Sequence, residues 1–394
     1  MRISRIDSLS ELSPQAWNAL RGTDNPFLRY EFLAALENHS CVGDDSGWIP
    51  HFLTAEQDDN LVGAVPVYIK YHSFGEFVFD WAWAQTYQNS GRPYYPKLVV
   101  AIPFTPIAGP RILTADTAGG EKVTEALIQA TLDHAKSLGV SSLHWLFTND
   151  HDTPRLEEHG LMRRSGCQFH WSNPGYRDFG DFLAGLSSEK RKKIKRERRH
   201  VEDVDIEFEI LTGSEIDEPQ WSAYYDFYQN TFWKKGHAGP LTYDFYLALG
   251  RAMPQNILLI MARHRGRYVA GAFFMRNHDT LYGRHWGCVE EFHSLHFETC
   301  YYRAIDYCID HGLLRFEAGA QGEHKISRGF MPTATWSAHW IQDRRFGSAI
   351  KDFLHREDRA VTAYIHEARL HSPYKGGAWP ESGTVVGNDR RSTA

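Results

Sequence analysis

The stretch LLRFEAGAQGEHKISRGFMP, residues 313–332, decides how the chain is read. It begins as the end of a buried strand, Leu313 to Ala318, and breaks at Gly319 and Gly322. Glu317, Gln321, Glu323, His324, Lys325 and Arg328 crowd this short segment, which closes with Gly329, Phe330 and Pro332. Each of these polar groups can move a proton or bind an anion. The glycines let backbone approach a ligand or take left-handed dihedrals. Neither a helical nor a strand period accounts for the pattern. It therefore reads as a site at the end of a strand, with a polar loop closed by an internal ion pair as the plainer alternative.

Working outward, WGCVEEFHSLHFE (286–298) places Glu290, Glu291, His293, His296 and Glu298 where a strand gives way to a helix. Backbone N–H groups at a helix start can hold an anion, and a carboxylate or imidazole there can act as a general base. Taken one by one, these histidines fit a satisfied structural role better than a catalytic one. There is no HExxH pair and no other convincing ligand set, so no metal is expected. The amphipathic run Leu295 to His311 reads as a helix stopped by Gly312, feeding the strand Leu313 to Ala318. TATWSAHWI (333–341) alternates like one more strand, and Arg345 to Leu370 reads as a long closing helix. Upstream, Leu258–His264 and Tyr268–Arg276 form a strand pair around a turn, with Thr280–Cys288 next.

The first half follows a similar order. Residues 11–40 read as helical, starting at Ser13-Pro14. HFLTAEQ (51–57) and LVGAVPVYIKY (61–71) read as a strand pair about Asp58-Asp59-Asn60, and Pro66 marks an edge or a bulge. An apolar run, Leu98 to Ile102, a helix from Glu121 to Leu138 stopped at Gly139, and a strand over 140–147 complete the unit. The expected fold class is α/β (α+β), with mixed sheets flanked by helices. Two units of similar plan are expected, residues 1–175 and 176–372, followed by a mobile tail over 373–394 rich in Gly, Ser and Pro.

Charge supports a site in the second unit. KRKKIKRERR (190–199) holds eight basic residues and one acid in a chain of net charge −6. Ser187 or Ser188 can cap a helix there, and Arg191, Lys195 and Arg198 then share a face. With Lys192 they suit the phosphates of a polyanion; a solvated surface helix is the other reading. In the first unit, Glu76, Asp80, Trp81, Trp83, Tyr94, Tyr95, Lys97 and Arg111 suit either a ligand groove or a seam between the units. The five cysteines form no CxxC and read as free thiols in a reducing compartment. With no apolar leader and no long apolar run, the chain is expected to be cytoplasmic and without a transmembrane segment. GxSxG, GxxxxGK[ST] and GxGxxG are all missing.

Beyond these patterns, EAGAQGEHKISRGF, the helix before it, GAVPVYIKYHSFGEFVFDWAWA, YYPKLVVAIPFTPIAGPRIL and SSEKRKKIKRERR together resemble the FemAB-like family of bacterial N-acyltransferases. The resemblance runs from about residue 25 to 370. More distantly, a basic helix opening the second domain and a glycine-rich strand end leading to Lys325 and Arg328-Gly329-Phe330 are similar to Fem-type aminoacyltransferases. The resemblance implies tandem GNAT-like (acyl-CoA N-acyltransferase) domains and transfer of an acyl or aminoacyl group to an amine. The donor implied is acyl-CoA or aminoacyl-tRNA, the acceptor a small molecule or a peptidoglycan cell-wall precursor, with no tightly bound cofactor. EEFHSLHFE stands where classical GNAT proteins carry [RQ]xxGx[GA], which sets acetyl-CoA in question as the donor.

Clustering and resemblance together nominate Glu298, Glu323, His324 and Lys325 as catalytic. Trp286, Glu290, His296, Gln321, Arg328, Lys97 and Arg111 are expected to bind substrate, and Arg191, Lys192, Lys195 and Arg198 to bind phosphates. A non-catalytic protein recognising a cell-wall precursor or an RNA remains the alternative, and oligomeric state is not readable.

Overall fold

The computed structural model describes residues 1–320 and 322–377. Fifteen strands occur among them: β1 (Arg2–Ile6), β2 (Trp48–Pro50), β3 (Phe52–Gln57), β4 (Asn60–Val65), β5 (Val67–Lys70), β6 (Lys97–Val100), β7 (Leu113–Thr114), β8 (Ser142–Thr148), β9 (Met162–Ser172), β10 (Ile206–Thr212), β11 (Ile257–His264), β12 (Arg267–Arg276), β13 (Thr280–Cys288), β14 (Arg315–Glu317) and β15 (Met331–Ile341). Four form a small sheet in the order β1-β3-β4-β7, and eleven form a large one in the order β10-β11-β12-β13-β14-β9-β15-β8-β6-β5-β2.

Pro66 explains the division into two sheets. It has no N–H to give a ladder. The chain leaves the small sheet at Val65 and enters the large one at Val67, so the expected edge or bulge is a change of sheet. Asp58 and Asp59 take left-handed φ of 51° and 61°, the turn a two-residue hairpin needs.

Each half contributes one parallel pair to the large sheet. Strands β6 and β8 are joined through the helix Gly120–Leu138, which ends at Gly139 with φ 65°. Strands β13 and β14 are joined through the helical segment Leu295–Asp310. The remaining pairs of both sheets are antiparallel, so the fold is mixed α/β with a mixed large sheet and an antiparallel small one, flanked by helices. The two halves interleave, because β15 lies between β8 and β9 and pairs with both. The closing helix, Arg344–Leu370, packs along β9 and β15. Arg164 of β9 grips Glu357 of that helix through two 2.8 Å bonds.

The second half adds elements whose sequence carries no clean period. The helix Glu218–Trp233 is aromatic and buries Trp221, Tyr224, Phe227 and Tyr228 against β12 and β13. Close approach there requires Gly287, where an added Cβ would lie 1.9 Å from the Phe227 carbonyl oxygen. All five cysteines are free. Among the described residues no helix is long and apolar enough to cross a membrane. Of the expected tail, Tyr374 is buried and donates to the Gly329 carbonyl at 2.8 Å, while 378–394 lie outside the described residues.

Candidate active site

The site arises where a strand stops short. Strand β14 has three residues, paired with Thr280–Tyr282 of β13 on one side and His170–Ser172 of β9 on the other. Both neighbours continue past its carboxyl end, β13 to Cys288 and β9 back to Met162. The space that a longer β14 would fill is a cleft of about 1010 Å³. Ligands of open α/β sheets bind at such carboxyl ends.

One wall is β13, with Arg284, His285 and Trp286; the other is β9, with Arg164 to Gln168. The far end is the glycine loop after β14, from Ala318 to Lys325. Gly319 and Gly322 take φ of 78° and 110°, which steers the chain away from β13 instead of along it. Gln321 lies outside the described residues.

Lys325 is the central cation. It is 2% exposed and donates from Nζ to the Gly319 carbonyl at 2.8 Å. Burial lowers its pKa from 10.5 to about 8, because a desolvated ammonium is costly. His324 and His296 also line the cleft. Burial and then the Arg328 and Lys325 charges lower the His324 pKa, while burial and then His324 hold His296 near about 4. Both imidazoles are therefore neutral at pH 7 and able to accept a proton. Tyr301 meets His324 Nε2 at 3.0 Å, and the Trp286 ring packs on His296 at 5.3 Å.

Behind this wall the basic helix, Ser188–Glu202, is locked to the loop. Ile194 is wholly buried, worth about 1.5–3 kcal/mol. Arg328 Nη2 pairs with Glu197 Oε1 at 2.7 Å, its Nη1 donates to the His324 carbonyl at 2.7 Å, and Tyr302 donates to the same glutamate. Glu197, the single acid of the run, thus ties helix to loop, and Lys193 adds a bond from Nζ to the Ser327 hydroxyl at 3.2 Å. Ser187 sits at the N-cap, but its hydroxyl makes no cap bond; its N–H donates to the Pro373 carbonyl at 2.8 Å instead. The helix meets the segment Glu298–Tyr302, a turn of π-helix, a form common at functional sites.

The sequence matches the FemAB-like family, described as peptidoglycan biosynthesis/recognition, over residues 8–376. The chain belongs to the FemAB-like family. No curated protein matches it in sequence. Among solved structures, FemX superposes with a TM-score of 0.55 at 11% identity, over 89% of this chain and 100% of that one. L-PGS from Bacillus licheniformis gives 0.51 at 11%, over 85% and 96%. A conserved protein of unknown function from Bacteroides thetaiotaomicron VPI-5482 gives 0.51 at 12%, over 86% and 99%. These likenesses concern the fold, mixed α/β with sheets flanked by helices.

In this FemAB-like chain the nominated residues fall into three groups. Trp286, His296, His324 and Lys325 meet at the cleft. Glu298, Arg198 and Arg328 lie behind it in ion pairs. Glu298 Oε1 sits 3.1 Å from Arg198 Nη2 and 2.8 Å from Arg303 Nε, while Arg198 also reaches Asp306 at 2.9 Å. Burial raises the Glu298 pKa against the pull of those two arginines. The rest stand apart. Glu323 is exposed and accepts from Tyr364 at 2.9 Å, Glu290 is exposed, Lys192 and Lys195 are exposed, and Arg191 is half-buried.

Lys97 and Arg111 are buried in the first half. Lys97 pairs with Glu76 at 2.8 Å and with Asp80. Burial opposes its charge, but those carboxylates outweigh burial and raise its pKa. Asp80, desolvated yet held by Lys97, stays ionised at about 2. This buried cluster fastens the loop from which Phe74, Phe77, Phe79 and Trp81 protrude, and Phe77 and Phe79 reach the cleft mouth. Arg111 donates to the Leu146, Ile107 and Pro110 carbonyls and stitches the loop before β7 to β8.

Arg284 and Gln168 line the cleft without having been nominated from sequence. Arg284 Nη2 donates to the Phe104 carbonyl at 2.6 Å, and Gln168 Nε2 to the Pro106 carbonyl at 2.8 Å. Both hold the Phe104–Pro106 strap over the sheet. The legible signal for Arg284 is an arginine inside a strand, between two glycines, in YGRHWG.

Proposed function

We propose that this chain is an N-acyltransferase that moves an acyl or aminoacyl group from an ester or thioester donor to an amine. The observation that carries the reading is Lys325, a buried lysine held near pKa 8 at the end of a cleft formed by two parting strands. The amine nitrogen attacks the carbonyl carbon, a C–N bond forms, and the C–O or C–S bond to the donor breaks. The Lys325 ammonium faces the negative charge that develops on the carbonyl oxygen. Neutral His324 or His296 takes the proton released by the attacking amine and returns it to the leaving oxygen or sulfur. Trp286 and Tyr301 exclude water from the reacting centre. Lys192 and Lys195, exposed on the basic helix, hold the donor's phosphates.

The family's link to peptidoglycan favours a cell-wall precursor as the acceptor. Aminoacyl-tRNA is the preferred donor over acyl-CoA, because the GNAT pyrophosphate loop is absent from the helix start at EEFHSLHFE. The test is transfer of label from aminoacyl-tRNA, or from acetyl-CoA, to a UDP-linked muropeptide. The expected result is an amide product from the first donor, lost in Lys325→Met. Turnover unchanged in that variant removes Lys325 from the mechanism, and no product from either donor removes the reading.

A further inference from the structure

A second cleft, of about 730 Å³, opens over β14 on the sheet face that carries Arg315 and Glu317. It borders the transfer cleft at Thr335 and Trp336, which line both. None of Lys325, His324 and His296 belongs to it.

A buried carboxylate oxygen without a partner lies there beside a guanidinium half open to solvent. Glu317 is 4% exposed, and its Oε2 has no hydrogen-bond partner among the described residues. Glu317 forms ion pairs only at their outer limit among the described residues, with His170 Nε2 4.0 Å from Oε2 and Arg315 Nη1 4.0 Å from Oε1, both beyond hydrogen-bond length. Arg369 is a further cation of the same lining. The Arg315 guanidinium, about half exposed, forms no closer ion pair among the described residues. Burial of an unpaired carboxylate is costly, and burial accordingly raises Glu317 to about 7 and lowers His170 to about 3. A neutral His170 cannot neutralise the carboxylate. Asp24, Asp150 and Asp279 add negative charge to the same walls.

We propose that this cleft is a binding site for a zwitterionic α-amino acid group, with the ammonium seated against Glu317 and the carboxylate on the Arg315 guanidinium. A carboxylate and a guanidinium side by side on one wall complement the two charges that a single α-carbon carries. Gln168 connects the site to the transfer cleft, since it lines the latter while its Oε1 lies 3.4 Å from His170 Nε2.

The test is calorimetric titration of the full chain with L-alanine, N-acetyl-L-alanine and L-alaninamide. The two derivatives each lack one charge. L-alanine is expected to bind, and each derivative to bind at least about tenfold more weakly, as losing a charged hydrogen bond predicts. Glu317→Gln and Arg315→Met are each expected to abolish L-alanine binding, and Lys325→Met to leave it unchanged. Loss of transfer activity in Lys325→Met with L-alanine binding intact separates this site from the transfer cleft. No binding of L-alanine, equal binding of either derivative, or wild-type binding by either variant overturns the proposal. Should Glu317→Gln fail to fold, Arg315→Met, at the half-exposed position, decides.

Discussion

Replacing Lys325 by methionine is expected to stabilise the protein while abolishing transfer. The lysine is 2% exposed and titrates near about 8, against 10.5 in the unfolded chain. At pH 7 the fold therefore carries a desolvated ammonium at a cost of about 3 kcal/mol. Methionine has a similar length and no charge, so that cost disappears. The bond to the Gly319 carbonyl is lost with it, and an unpartnered carbonyl offsets about 1 kcal/mol. The net expectation is a gain of about 2 kcal/mol at pH 7, read as a higher urea midpoint at unchanged slope. The sign with pH follows from a depressed folded pKa. The penalty is fully present below about 8 and fades as pH rises toward 10.5, where both states are neutral. The gap between variant and wild type should therefore shrink steadily between pH 7 and pH 10. A variant less stable than wild type at pH 7, or a gap that does not change with pH, refutes the account of Lys325 as a charge held at a cost for function.

Arg328→Met leaves the buried Glu197 carboxylate without its cation, with only the Tyr302 hydroxyl still donating to it, and is expected to cost about 3–5 kcal/mol in chemical unfolding, whereas Lys192→Glu with Lys195→Glu, both exposed, should shift stability by no more than about 0.5 kcal/mol while weakening binding of the phosphate-bearing donor. Glu317 titrates near about 7 in the fold against 4.5 unfolded, so its favourable contribution is present below 4.5 and lost as pH rises through 7; Glu317→Gln should match wild type near pH 4.5 and exceed it by about 3 kcal/mol at pH 8 in urea midpoints. Gly287→Ala forces a Cβ to within 1.9 Å of the Phe227 carbonyl and should cost about 3 kcal/mol or more, seen as a lower thermal midpoint with loss of the Trp286 wall.

Periodic stretches were legible in the sequence because their residues follow the geometry of the element they form. The hairpin at Asp58-Asp59, the helix ending at Gly139 and the β11–β12 pair stand where the pattern predicts. The helices Trp81–Asn89 and Glu218–Trp233 escaped because aromatic residues lie on their exposed as well as their buried sides, Trp81 and Trp233 among them, which blurs amphipathic contrast. Tyr243–Ala252, with Phe245, Tyr246 and Leu249 on one buried face, carried a legible pattern that went unread. The single helix expected over 11–40 is instead two, Pro14–Asn18 and Tyr30–Asn38. Residues 19–29 between them are held by turns, with the Leu28 carbonyl accepting the indole N–H of buried Trp17 at 2.8 Å. Insertion of β15 between β8 and β9 was not readable from element order, since two strands far apart in sequence leave no local trace of their pairing.

At the site, clustering in sequence identified the loop but not which members face the cleft. A strand end followed by glycines, then histidine and lysine, is a local pattern, and local patterns are visible in one chain. Pairing is not local. Arg328 and Glu197 lie 131 positions apart, and Glu298 is ion-paired with an arginine a hundred residues upstream. The same chemistry that makes arginine a candidate for binding phosphate makes it a good buried partner for carboxylate, and only the fold decides between them. Lysine differs, because burial can strip its charge and guanidinium resists that change. Lys97 and Lys325 show both outcomes in one protein. Two carboxylates keep the first charged and structural, while the second has a carbonyl for a partner and its pKa falls toward neutrality. Lys70, buried at the carboxyl end of β5 with the Phe74 carbonyl for a partner, is likewise lowered to about 7, so what sets Lys325 apart is not the depressed pKa but its place in the cleft beside His324 and His296.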